Sequence, residues 1–281
     1  MIRLFIPYCP YFIFLTLFFM RSSFVLANEL NETIKSQNKT EWTMGIGLGM
    51  FEYKLYPGAK ETNRFLFPAP YFTFKSPRFE IDRGIKSFLY HSRTIVLDIS
   101  ADFGLPVDSD DTQVRKGMPD LDFMLQFGPS LEFLITNKNY FDIRFEVPIR
   151  VAYALDPKQI ENIGYLFEPR LSFNHHRSKK TGLAHKTTVG LKFATQDFHQ
   201  YYYDVTNEFV TAERPEFNSN SGYSGSFVNY RISYKTDDFV YWAFLRYQSL
   251  RGAVFEDSPL VLEKDYYFIG VGFAWIFAGS I

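Results

Sequence analysis

The segment of this chain best equipped for chemistry is Phe173-Asn174-His175-His176-Arg177-Ser178, which sets histidine, serine and asparagine close together. A serine hydroxyl next to an imidazole base can become a nucleophile, with a third polar group orienting the base. At a lipid surface such a set would make a hydrolase. A second candidate is His199, followed by Tyr201, Tyr202 and Tyr203. No metal-ligand spacing occurs anywhere, so no cofactor, metal or catalytic residue is assigned.

Positioning these side chains falls to strands. Successive residues of a strand point to opposite faces, so alternation with period two is its mark. From Leu121 to Ile135 the odd positions are Leu121, Phe123, Leu125, Phe127, Pro129, Leu131, Phe133 and Ile135, while Asp122, Gln126, Ser130 and Glu132 lie between them. Phe141 to Tyr153 repeats the pattern, with Phe141, Ile143, Phe145, Val147, Ile149 and Val151 opposite Asp142, Arg144, Glu146 and Arg150. Ile163 to Phe173 sets Ile163, Tyr165, Phe167, Leu171 and Phe173 against Glu168 and Arg170. Such runs exceed the five or six residues usual in strands and suit a tilted bilayer crossing, which takes about 9–11. A lipocalin-like soluble barrel would bury all these aromatics in a small core, and the strand lengths disfavour it.

The two outermost strands show which face meets lipid. Trp42, Met44, Ile46, Leu48 and Met50 alternate with Gly45, Gly47 and Gly49; Tyr267, Ile269, Val271, Phe273, Trp275 and Phe277 alternate with Gly270, Gly272 and Ala274. Large apolar residues fit against lipid, and small ones fit a crowded lumen. These strands are expected to pair, which removes the sheet edges. The last one carries the terminal aromatic pattern of outer-membrane proteins, although Ala278 to Ile281 extend beyond it.

The polar face then forms the lumen. It places Glu80, Asp82, Asp98, Asp102, Asp122 and Glu132 in the first half of the wall, and Asp142, Arg144, Glu146, Arg150, Glu168, Arg170, Lys186, Lys192, Arg231 and Arg246 in the rest. In a narrow barrel these charges pair and plug the lumen; in a wide one they make a transverse field across a pore. A barrel of about 12 strands is nearer the filled 8-stranded kind than the 16–18-stranded porins, and unpaired charges in a dry interior cost several kcal/mol each. The expectation is a plug with little conductance.

Composition agrees. Arg3, the apolar stretch Leu4 to Met20 and Val25-Leu26-Ala27 read as a cleavable signal peptide over 1–27; an uncleaved anchor is the alternative, since 17 apolar residues just suffice to span. Cys9, the only cysteine, leaves with the signal, so disulfides and thiolate sites are excluded. Arg3 and Arg21 leave too, so the 30 basic side chains become 28 against 31 acidic, which disfavours nucleic acid as a partner. The remainder has no second long apolar run, yet 19% of the whole chain is aromatic. Residues 28–41 read as a polar periplasmic lead-in, and 42–281 as the barrel.

Short links near 76–77, 91–93, 136–139, 177–181 and 236–238 alternate with longer ones near 55–64, 104–119, 155–161, 196–221 and 252–264 if 78–90 holds two short strands reversing near Arg83-Gly84. The result is an all-β, antiparallel, up-and-down transmembrane barrel of about 12 strands with both termini periplasmic. Pro68 and Pro70 break the pattern, because each removes a ladder donor; pairing of that strand is expected from Tyr71 onward. In this topology the His175–Ser178 segment is a periplasmic turn, away from outer-leaflet lipid, and reads as a basic turn beside phosphate head groups. His199 and its tyrosines read as an interfacial belt running into an outer loop.

Several segments in order resemble the MipA/OmpV outer-membrane proteins. They are the glycine-alternating first strand, Phe67-Pro68-Ala69-Pro70-Tyr71-Phe72 with Arg78-Phe79, Gly117-Met118-Pro119-Asp120-Leu121-Asp122, Tyr201 to Asn220, and Asp257-Ser258-Pro259-Leu260-Val261. The likeness runs from Trp42 to Phe277, with more charge through 130–190 and fewer strand glycines than the family pattern. The resemblance implies a non-enzymatic scaffold in the outer membrane of a Gram-negative bacterium, touching a membrane-bound lytic transglycosylase and through it a bifunctional murein synthase. A small-solute channel is the alternative and a lipid hydrolase the third reading.

Overall fold

The computed structural model describes residues 40–76, 79–81, 85–92, 94–156, 158–177 and 181–280. The signal segment and nearly all of the lead-in lie outside them. Thirteen strands form one antiparallel sheet: β1 (Glu41–Lys54), β2 (Thr62–Lys75), β3 (Phe79–Ile81), β4 (Ile85–His91), β5 (Ile95–Gly104), β6 (Phe123–Lys138), β7 (Phe141–Leu155), β8 (Ile160–Phe167), β9 (Arg170–His175), β10 (Gly182–Ala194), β11 (Gly222–Lys235), β12 (Phe239–Ser249) and β13 (Asp265–Gly279). Each pairs with its neighbours in sequence except β8 and β9, which do not pair with each other, and β13 returns to pair with β1 from Thr43↔Gly279 to Glu52↔Ile269. The sheet is a closed barrel.

β8 and β9 both pair with β7 on one side and β10 on the other. They are one stave broken at Glu168-Pro169, so the wall has 12 staves and its two ends emerge on the same rim. No helix among the described residues is long and apolar enough to cross a membrane; crossing falls to the strands. Their outward side chains, from Met44 and Ile46 on β1 to Trp275 and Phe277 on β13, form an exposed apolar band, as a lipid-facing surface requires.

The inward face follows the alternation except where bulges reverse it. On β6 Gln126, Ser130 and Glu132 are buried, while Phe127 and Phe133 face out. Glycines on the inner faces of β13 and β1 make room for rings of the neighbouring β12: a Cβ on Gly272 would meet the ring of its pairing partner Trp242 at 2.4 Å, and one on Gly270 that of Phe244 at 2.4 Å. β8 is one case, where Ile163 is buried rather than lipid-facing and Leu166 lies inside with it. Gly164, at φ 114°, sits at a bulge that shifts the register between Ala152 and Tyr153. One extra residue reverses the faces on either side of it.

β2 pairs with β1 along its whole length, including Pro68↔Leu48 and Pro70↔Ile46, so pairing does not wait for Tyr71. Proline cannot donate, so unbroken pairing requires that both nitrogens point away from β1. On that other edge β2 meets β3 only at Phe74↔Ile81 and Lys75↔Glu80. β3 and β4 do form the short reversal, closing at Ile81↔Ile85, and β4 reaches β5 only up to Phe88↔Asp98. The prolines stand at a strand edge, where they are tolerated.

Candidate functional site

Two structures occupy the interior: a layer of charge along one arc of the wall, and a cap of loops at the outer end. The charged layer is built by β6, β7, β9 and β10. Glu132, Asp142, Glu146, Arg150 and Glu168 are each 1–3% exposed. Arg144 donates to Glu132 at 3.0 Å and to Asp142 at 2.8 Å. Asp142 also accepts from Asn174 at 2.7 Å and pairs with His176. Glu146 accepts from Arg170 at 2.7 Å and Lys186 at 3.1 Å. Arg150 pairs with Glu168, which lies 3.7 Å from Lys192. The bonds run along the wall, within β7 or to staves one or two away, rather than between opposite walls, because nearby strands bring cross-strand side chains closest.

The remaining charges expected in the lumen are placed as follows. Asp98 is buried on β5, and Asp102 stands at the upper end of that strand, 3.8 Å from Arg150. Asp122 precedes β6 and joins the cap, its carboxylate accepting from Tyr201 at 3.3 Å. Arg231 and Arg246 line a cavity described below. Asp82 and the Glu80 side chain fall outside the described residues.

The cap is a hydrophobic core made from loops. Helix α1 (Gln196–Tyr203) and the loops at 55–61, 105–122, 204–221 and 250–264 bury Tyr56, Val107, Leu121, Phe198, Tyr203 and Phe255 against inward residues such as Ala152 and Leu166. Tyr203 stacks on Phe255, with centroids 3.7 Å apart. Arg115 is buried and donates to the carbonyls of Tyr202 and Pro119, both at 3.0 Å. Arg214 donates to the carbonyls of Phe209 and Val114, both at 2.8 Å. Tyr56 donates to Leu260 at 2.7 Å, and Tyr203 to Pro57 at 3.0 Å. Burial pushes the Tyr201 phenol up to about 12 and raises those of Tyr56, Tyr202 and Tyr203 as well, so these hydroxyls remain donors.

A wall lined with buried ion pairs, an outer end packed shut and an apolar exterior describe an outer-membrane barrel. The sequence comparison decides its kinship: residues 45–277 match the model of the family described as MltA-interacting protein MipA. The chain belongs to the MipA family. No curated protein matches it. Among solved structures, a bacterial polysaccharide outer membrane secretin is 9% identical, with 86% of this chain and 98% of that one aligned and a TM-score of 0.40. An outer membrane channel from Pseudomonas putida F1 is 8% identical, over 84% and 96% of the two chains, with a TM-score of 0.42. The outer membrane protease OmpT from Escherichia coli is 7% identical, over 85% and 95%, with a TM-score of 0.29. At these scores nothing about function passes from those proteins to this one.

The hydrolase candidates fare differently in this MipA-family barrel. His176 is held by Asp142, His175 stacks on His185 with centroids 5.0 Å apart, and Ser178 lies outside the described residues. Arg177 pins the same turn, donating to Gly182 O at 2.9 Å and Ser233 Oγ at 2.7 Å. His199 and its tyrosines form no interfacial belt; they are the centre of the cap. His199 is fully buried, with Nδ1 2.6 Å from the Asn220 carbonyl and Nε2 2.6 Å from Ser224 Oγ. Burial lowers its pKa, so the ring is neutral at pH 7. Among the described residues no group of three or more acidic, histidine or cysteine side chains is placed to hold a metal. Strand alternation could not reveal Arg115, Arg214 or Phe255. The available signal was the family resemblance itself, since Gly117–Asp122, Tyr201–Asn220 and Asp257–Val261 all lie in the cap.

Between the charged layer, the cap and β11 to β13 lies a cavity of about 420 Å³. Its lining includes Tyr53, Asp102, Met124, Arg246, Phe244 and Phe268.

Proposed function

We propose that this barrel is a sealed, non-enzymatic scaffold that holds murein-remodelling enzymes at the inner surface of the outer membrane. The observation that carries the reading is the pairing of the buried charges: Arg144 with Glu132 and Asp142, Arg170 and Lys186 with Glu146, Arg150 with Glu168. Pairs fixed along the wall leave that arc without free charge to hold ions and water, which favours a closed lumen over a hydrated pore, and the loop core blocks the outer mouth. A barrel that passes nothing acts through what its rims hold.

Among the described residues, the periplasmic rim comprises the strand ends and links at Ser76, Ser92, Thr94, Asn139–Tyr140, His176–Arg177 and Thr236–Asp238. The family description names an interacting partner, which supports a lytic transglycosylase as the enzyme held there, with a bifunctional murein synthase recruited through it. Residues 1–27 act as the cleaved export signal, and the 28–41 lead-in touches the same enzymes alongside the rim. Photo-crosslinkers at Tyr140 and Asp237 test the reading in intact cells. The expected product is an adduct with a lytic transglycosylase. Recovery of no murein enzyme, with turn substitutions leaving wall growth unchanged, would overturn it.

A further inference from the structure

The short β3–β4 hairpin leaves a breach in the upper wall. Among the described residues, no strand pairs with Thr62 to Pro70 on the side away from β1, nor with Ile99 to Gly104 on the side away from β6. The β5 edge alone is six residues, roughly 20 Å at about 3.3 Å per residue. Two features mark these as open edges. Phe65, Leu66 and Phe67 are 46%, 61% and 42% exposed, although neighbours along a strand point to opposite faces. On β5 the Phe103 N–H is bonded at 2.9 Å by the Asp102 carboxylate of the preceding residue, a local substitute for a ladder partner.

The cavity reaches this breach. Asp102, Phe103, Gly104 and Leu105, consecutive at the upper end of β5 and just beyond it, all line it, so the cavity meets the wall at the β5 side of the breach. Its other walls are mostly apolar: Tyr53, Met124, Phe244 and Phe268. Three cations also border it: Lys192, which lies 3.7 Å from Glu168, Arg231, which is itself partnered, and Arg246. The Arg246 guanidinium lies over the Phe227 ring at 4.5 Å, its Nε has no hydrogen-bond partner, and no carboxylate pairs with it among the described residues. A volume of about 420 Å³ is within the 300–1,000 Å³ typical of ligand pockets.

We propose that the cavity is a binding site for a single-chain anionic amphiphile of the fatty-acid class, which enters sideways from the membrane between β2 and β5. The acyl chain lies among the aromatic side chains and the carboxylate meets Arg246. This site is independent of the periplasmic rim, so it stands or falls apart from the scaffold reading.

The test uses full-length protein in phosphatidylcholine vesicles and a palmitate carrying a diazirine on its chain. Mass spectrometry should place adducts on cavity residues such as Tyr53, Phe244 or Phe268. Arg246→Gln should lower labelling at least tenfold, Arg246→Lys should restore it, and the matching diazirine alcohol should label wild type and Arg246→Gln alike. Asn229→Trp, which fills the cavity from β11, should abolish cavity adducts while the barrel stays folded, as read by a heat-dependent gel shift equal to that of wild type. Adducts confined to the lipid-facing band would overturn the proposal, as would cavity labelling unchanged by Asn229→Trp. Equal labelling of wild type and Arg246→Gln by the acid would remove the anionic head group from it.

Discussion

Replacing Arg144 with methionine tests whether the charged layer is dry. The guanidinium serves two carboxylates, Glu132 and Asp142, whose side chains are 2% and 1% exposed. Removing one partner of a buried ion pair costs about 3–5 kcal/mol, because a charge is left in a medium that cannot solvate it. The Arg144 side chain is itself 25% exposed and Asp142 keeps Asn174, so the low end, about 3 kcal/mol, is expected. For a domain of this size that is on the order of 6–12 °C in unfolding temperature. Replacing all three groups with apolar ones, Arg144→Met with Glu132→Leu and Asp142→Leu, should recover most of the loss, since an apolar substitute for a buried ion cluster is often neutral or better. His176, which pairs with Asp142, is half exposed and can turn to water. Urea unfolding of the single and triple variants in lipid vesicles gives both values. A loss below about 0.5 kcal/mol for the single variant, typical of exposed pairs, would show a wet lumen and refute the plug.

Three other outcomes follow from the cap. Tyr56→Phe removes the bond to the Leu260 carbonyl, which is wholly buried, and should cost about 1–3 kcal/mol in urea unfolding for the unsatisfied acceptor. Gly164→Ala puts a Cβ 2.3 Å from Thr195 Oγ1 at a positive φ, so cleavage within 195–221 by added protease should speed up severalfold. His199 has a folded pKa below its ordinary 6.5. The unfolded chain therefore binds the extra proton first, so the stability of the neutral ring is complete above about 6.5 and declines as pH falls below it. Proteolysis of the same loop should accelerate between pH 7.5 and 5, and His199→Gln should flatten that dependence.

How much of this was legible in the sequence depended on periodicity. β1, β6, β7 and β13 sit where alternation placed them, because a bilayer outside and charges inside leave each face one kind of residue. β8 misled at Ile163, since a bulge at Gly164 reverses the faces and leaves only a glycine as its trace. Pro68 and Pro70 marked a true irregularity: they reported an open strand edge rather than a late start to pairing. The cap was invisible to alternation. Its packing joins residues more than 200 apart, as Tyr56 and Leu260 are, through loops with no period.

The most direct test of the sealed-barrel account is planar-bilayer recording of the purified, full-length protein. The account predicts no steady openings in the nanosiemens range, and openings only after the cap is cut away together with the Glu132, Asp142 and Arg144 triad. Steady nanosiemens channels from the intact protein would contradict it.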